Sequence, residues 1–374
     1  MLLAACLAVA NRAYAQDQEE DEKALSSRGV AGEIMDTAVE HCRRGEAAQA
    51  LSMFGAIRTQ LAPPPAILRL IQDLEATGCL RASSAGPSLR LQLGGGWDSN
   101  VSQGITARNL VIGSGDNAIE LELDESYRPR SSTFAQASLD YSLVVPRQGL
   151  QLQAGLGHRR NERESTFDLT TASASAAREF RLHGGSVRAQ VEVSEVWLAN
   201  RHYQSAQGLG LQWLRSDNQG AWLATAGGTR VRYVTQPAQS ALQWEAGVLR
   251  EQRLSAAHSV HAGVTLQRDV ATGARPGGDR QGFQLQLGTV LLAYGWRLRP
   301  QLSYARWDSG DVFSPGLLDV RRRNRLSQAS LHAERPLSER SSLVLEWRGR
   351  SARDTVALYR YRAQSFTANL AHRF

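Results

Sequence analysis

Ser259-Val260-His261-Ala262-Gly263-Val264-Thr265-Leu266 changes character at every residue. Val260, Ala262, Val264 and Leu266 are apolar, and the residues between them are polar or small. Side chains of a strand point alternately to opposite faces, so this stretch is a strand with one apolar and one polar face. The same reading extends outward in both directions. Leu150, Leu152, Ala154 and Leu156 alternate with Gln151, Gln153 and Gly155, and Phe283, Leu285 and Leu287 with Gln284 and Gln286. Leu89, Leu91 and Leu93 alternate with Arg90, Gln92 and Gly94 near the start of the pattern, and Leu343, Leu345 and Trp347 with Glu346 and Arg348 near its end. The strands run about 10 to 14 residues, against about 5 to 6 in soluble sheets. A polar face rich in Gln, Gly, Ser and Arg is suited to a hydrated lumen rather than to a second sheet. The expected fold class is therefore mainly β: a transmembrane antiparallel β-barrel of about 14 strands.

Strands are expected at 88–97, 133–143, 150–160, 167–180, 186–199, 203–214, 220–234, 240–251, 258–269, 280–293, 296–307, 324–335, 341–351 and 359–374. Links after even-numbered strands are all short. Every long link follows an odd-numbered one: Asp98 to Ser132, Val270 to Asp279 and Asp308 to Arg323. Short periplasmic turns and longer outer loops are the rule in outer-membrane barrels. An even strand count returns the C-terminus to the side where strand one began. Ala118 to Glu125 is read either as a further strand or as a hairpin in the first long loop, and acidic Glu120 to Glu125 as a segment able to fold inward and narrow the lumen.

Ahead of the barrel, residues 1–15 read as a secretory leader. Its apolar core runs from Met1 to Ala10, and Ala13-Tyr14-Ala15 is a small-x-small cleavage site. The missing positively charged start implies a true initiator upstream of Met1. Leu3-Ala4-Ala5-Cys6 is the alternative, a lipoprotein box. Residues 16–28 form an acidic tether, residues 29–81 a short helical periplasmic segment, and residues 82–87 a linker. Once the leader is removed, Cys42 and Cys79 remain, read in an oxidising compartment as a disulfide, with two buried thiols as the alternative.

A formal charge of +7 invites a nucleic-acid reading. The positive charge is nearly all arginine, with Lys23 the single lysine, and it is scattered along strands rather than gathered on one helix face. No nucleic-acid partner is expected; the arginines suit an aqueous lumen or lipopolysaccharide phosphates. The last strand ends Phe366-Thr367-Ala368-Asn369-Leu370-Ala371-His372-Arg373-Phe374, with Phe366, Leu370 and Phe374 on one face. A terminal aromatic closing an alternating strand is similar to the signal read by the barrel assembly machinery, an expected partner together with the lipid bilayer.

Catalytic chemistry is not expected. No histidine accompanies a Gly-x-Ser-x-Gly turn or paired carboxylates, and His261 and His332 fall on the polar face as lumen residues. No cofactor or metal site is indicated. Asp308-Ser309-Gly310-Asp311 reads as a solvated turn or a divalent-ion loop, and Arg321-Arg322-Arg323-Asn324-Arg325 as a phosphate-binding or a solvated loop end. Gly94-Gly95-Gly96 and Gly227-Gly228 lie inside strands, where glycine relieves crowding.

One element resembles a known family. Gly96-Trp97-Asp98-Ser99-Asn100-Val101, at the end of the first strand, resembles the Gly-aromatic-Asp-Ser-Asn-Val element opening the barrel of surface lipoprotein assembly modifiers. Gly45 to Leu51, followed by Phe54 and Pro63-Pro64-Pro65, resembles part of one tetratricopeptide unit. The resemblance implies a fourteen-strand barrel and a lipoprotein client displayed at the cell surface. This chain departs from the family in having room for about one helical unit. Asp98-Ser99-Asn100 also has a local reading, short side chains fixing a turn where the strand leaves the membrane. Two functional expectations follow: assistance in lipoprotein display, or a passive or selective channel of porin or polysaccharide-export type.

Overall fold

The computed structural model describes residues 34–39, 41, 47–60, 68, 70–71, 74, 87–112, 118–145, 148–182, 184–217, 219–255 and 257–374. The expected leader, the acidic tether, Cys42, Cys79 and the linker up to Gly86 lie outside these residues. The described chain falls into two compact units. In the first, residues 34–39 and helix α1 (Ala47–Gln60) are helical. Ala50, Phe54 and Ile57 recur three and four residues apart on one face of α1 and are fully buried. They share a small core with Met35, Ala38 and Ile71. Burial of Phe54 and Ile57 contributes about 2 kcal/mol each.

The second unit is the sheet. Its strands are β1 (Pro87–Asp98), β2 (Asn109–Ile112), β3 (Ile119–Glu122), β4 (Ser132–Val145), β5 (Leu150–Asn161), β6 (Leu169–Leu182), β7 (Gly185–Leu198), β8 (Arg201–Asp217), β9 (Gly220–Tyr233), β10 (Ala241–Ser255), β11 (His258–Ala271), β12 (Arg280–Ala293), β13 (Trp296–Ser314), β14 (Leu318–Pro336), β15 (Ser341–Asp354) and β16 (Tyr361–Arg373). Fourteen strands close a barrel in chain order, and β2 with β3 forms a separate hairpin. The closing seam is antiparallel and runs from Arg90↔Arg373 to Asp98↔Ser365. A closed sheet has no edge, so its backbone polar groups are satisfied within the wall, as a bilayer demands. Among the described residues no helix is long and apolar enough to cross a membrane.

The register decides which face is outside. One row runs Gln190↔Gly210↔Gly227↔Glu245↔Gln267↔Gly282 across six strands. The neighbouring row on the opposite face runs Val191↔Leu209↔Gly228↔Trp244. Leu209 is 68% and Leu266 62% exposed, whereas Gly208 is buried. In a cylinder the convex outer side is the more accessible, so the apolar face points outward and the polar face lines the lumen. Trp97, Phe366 and Trp347 stand side by side on the outer face of β1, β16 and β15. Near the short turns, Phe180, Trp213, Trp222 and Phe374 are exposed as well. An outward apolar band flanked by aromatic girdles is the surface of an outer-membrane β-barrel.

The turns follow from sequence. Tyr294 and Gly295 have φ of 52° and 76° between β12 and β13, the positive values that a two-residue hairpin turn needs. One expectation is corrected at the long-loop end. Asp308 to Arg323 is not a long loop: β13 continues to Ser314 and β14 starts at Leu318. Irregular register between Asp308 and Ser314 absorbs the Asp-Ser-Gly-Asp stretch as bulges. The stretch Ala118 to Glu125 takes the hairpin form. It belongs to the β2–β3 hairpin and the turn after it, where Glu120, Glu122 and Glu125 are all exposed.

Candidate functional site

The motif at the end of β1 is a clasp across the barrel seam. Asp98 Oδ1 accepts the Asn100 backbone N–H at 2.9 Å, which turns the chain out of the strand. The Asn100 side chain is 2% exposed. Its Nδ2 donates to the Gly104 carbonyl at 3.0 Å and to the Arg362 carbonyl on β16 at 2.9 Å, and its Oδ1 accepts the Gly104 N–H at 2.6 Å. Ser99 exchanges two bonds with Gln364, giving its backbone N–H to the Gln364 carbonyl and accepting the Gln364 N–H on Oγ. Val101 N–H donates to the Arg130 carbonyl, just before β4. Asp98 Oδ2 also accepts from Arg159 at 3.3 Å, and that guanidinium lies 3.6 Å above the Phe134 ring. Trp97 points the other way, to the outer surface. Asp98, Ser99 and Asn100 are thus occupied in joining β1, β16 and the first long loop.

The preceding glycines have a steric cause. A Cβ on Gly94 would stand 2.1 Å from the Ala368 carbonyl oxygen, and one on Gly96 2.0 Å from that of Phe366. First and last strands approach more closely here than any side chain allows. The aromatic residues of the terminal strand, Phe366 and Phe374, share the outer face with Leu370, and Phe374 N–H donates to the Leu89 carbonyl. Sequence reasoning grouped these three residues correctly by parity; their pairing with β1 is visible only in the closed sheet.

The lumen is the second candidate site. Gln, Ser, Thr and Gly dominate its wall: Gln92, Gln153, Ser173, Ser175, Thr225, Gln284, Gln286, Gln328 and Ser330 all lie on the polar parity, and Gln136 donates to Asn369 on the same face. Charged residues of both signs share this face. Arg348 and Arg350 project inward from the middle of β15; Arg348 pairs with Glu346, and Arg350 Nε donates to Gln328 at 3.0 Å. Around the ring, six strands separate β15 from β8 in either direction. Glu192 on β7 and Glu245 on β10 flank β8 and face inward, opposite those arginines. His261 and His332 are on this lumen face, as their parity implied. Among the described residues no group of three or more His, Cys, Asp or Glu is placed to hold a metal ion. Asp308 lies on the outer parity, in ion pairs with Arg306 and Arg323 at 2.9 Å each.

No protein-family model matches the chain, and no characterised sequence is significantly similar to it. Solved structures of similar form include a FadL homologue of Pseudomonas aeruginosa, at 8% identity and a TM-score of 0.42 over 77% of this chain and 90% of that one. A bacterial polysaccharide outer membrane secretin follows at 11% identity and 0.42, over 78% and 99%. An anion-selective porin from Comamonas acidovorans has 10% identity and 0.39, over 77% and 99%. At these values the likeness is one of general barrel form, and the assignment of the fold rests on the strand pairing itself: the chain is built as an outer-membrane β-barrel.

Proposed function

We propose that this protein is an outer-membrane channel for small hydrophilic solutes. The observation that carries the reading is the inward face: a wall of Gln, Ser, Thr and Gly with Arg348 and Arg350 opposite Glu192 and Glu245. A fourteen-strand barrel encloses water unless something fills it. Opposed charges across such a path orient dipolar solutes and set ion preference. Reconstitution into liposomes tests this. Swelling rates should fall steadily from arabinose through glucose to larger oligosaccharides, and vesicles with refolded barrel that swell no faster than empty ones contradict the reading.

Lipoprotein display is the second reading, resting on the Gly96 to Val101 resemblance and the helical unit. The clasp bonds account for Asp98, Ser99 and Asn100 without any client, which is why the channel is preferred. Protease shaving of intact cells with and without the gene separates the two: loss of one lipoprotein from the surface on deletion supports display. In either reading the leader directs export, the barrel assembly machinery inserts the chain through its terminal strand, the helical unit lies in the periplasm and the long-loop end meets lipopolysaccharide.

A further inference from the structure

At the long-loop end of the barrel, a cavity of about 380 Å³ opens among Gln243, Arg280, Trp307, Arg322, Asn324 and Tyr359. Its chemistry is set by arginines held in ion pairs. Asp269, 2% exposed, is the single carboxylate between two guanidiniums: Arg275 Nη1 donates to Oδ1 and Arg280 Nη2 to Oδ2, both at 2.8 Å. Arg275 is itself enclosed and pinned by a bond from Nε to the Gly278 carbonyl at 2.9 Å. Asp269 itself lines the cavity and is shared between the two guanidiniums. On the neighbouring wall Arg322 is oriented by Asp354 at 2.8 Å and lies 3.5 Å over the Tyr359 ring, which Phe313 holds edge-on. Two rigidly held arginines therefore face one small cavity.

Two polar atoms there are enclosed without a hydrogen-bond partner among the described residues: Arg280 Nε and Ser309 Oγ. They belong to paired residues on adjacent strands. An unmade bond on a buried donor costs about 1 to 3 kcal/mol, which an acceptor reaching these residues from the cavity would relieve. Asn324, Gln243 and the faces of Trp307 and Tyr359 supply amide and aromatic surface for the rest of a ligand.

We propose that this cavity is a binding site for a small organic anion, of about monosaccharide size, whose carboxylate or phosphate is held by Arg280 and Arg322. The site deepens the channel reading and rests on it: the anion binds at the mouth before passing inward. Guanidinium geometry matches both anionic groups bidentately.

The test uses the refolded full chain in detergent micelles, with calorimetric titration of gluconate, glucose 6-phosphate, glucose and glucosamine. At least one of the two anions should bind saturably while glucose and glucosamine do not, and the better anion tells carboxylate from phosphate. Arg280→Gln leaves Asp269 paired with Arg275, so the barrel should still fold, and it should weaken anion binding at least tenfold. Ser309→Ala should weaken it about threefold, which serves if the arginine variant misfolds. Glucose binding as well as the anions, or anion affinity unchanged in Arg280→Gln and Ser309→Ala, overturns the site. Conductance measured on the same preparation keeps the two ideas apart. A barrel that binds gluconate yet never conducts leaves the site standing and removes the channel; one that conducts but binds no anion does the reverse.

Discussion

At the scale of single residues, the seam concentrates the largest effects. Asn100 makes four bonds from a fully enclosed amide, three within the first long loop and one to β16. Asn100→Ala strands the Gly104 and Arg362 carbonyls and leaves the Gly104 N–H with Ser102 Oγ alone, and should cost about 2 to 3 kcal/mol in urea unfolding of the refolded barrel followed by tryptophan fluorescence. Ser102→Ala, beside it, should cost under about 1 kcal/mol. The glycines give a sharper contrast. Gly94 has carbonyl oxygen where a Cβ would sit, whereas nothing lies within 4 Å of one on Gly210. Gly94→Ala should lower the fraction of heat-modifiable, folded barrel on a gel by several-fold, and Gly210→Ala should leave it unchanged. Equal yields would mean that the seam relaxes freely. These roles were only half legible in sequence. The Asp-Ser-Asn cluster signalled a turn and the glycine run signalled crowding, but Arg362 and Ala368, their partners, lie more than two hundred residues away along the chain.

At the scale of the strand, parity carries the argument. Leu209 and Gln190 occupy opposite faces of neighbouring strands. Leu209→Arg should destabilise by about 2 to 4 kcal/mol, since a guanidinium would face the bilayer midplane, while Gln190→Arg enters water and should stay within about 1 kcal/mol. Lipid-vesicle unfolding measures both, and the reverse order would turn the barrel inside out. Strand content was legible from the two-residue period; β12 has the bounds 280–293 that alternation alone implied. Reading failed on β13 and β14. Asp308 to Asp311 and Arg321 to Arg323 have loop composition, yet the arginines alternate between faces, Arg322 reaching Asp354 inside and Arg323 reaching Asp308 outside. Charge pairing across strands overrides local preference there, and no local pattern shows which carboxylate awaits each arginine. The extended hairpin also carries Phe313 to Tyr359. Phe313→Ala should free that ring and weaken anion binding at the mouth about threefold, with thermal stability little altered.

At the scale of the whole molecule, the sequence separated an apolar from a polar face but held no information on which strands stand opposite one another. Opposition is a property of the closed ring. Glu192 and Glu245 come to face Arg348 and Arg350 only because fourteen strands close with β15 across from β8. That geometry is what the account asks to do work: a water-filled path whose charged walls set ion preference. Single-channel recording in planar bilayers tests it most directly, comparing the native barrel with a Glu192→Gln, Glu245→Gln double variant and an Arg348→Gln, Arg350→Gln double variant. Stable unitary conductance is expected in all three. The reversal potential in a salt gradient should shift toward anion preference when the glutamates are neutralised and toward cation preference when the arginines are. Folded barrels that remain electrically silent, or reversal potentials that ignore both substitutions, would contradict it.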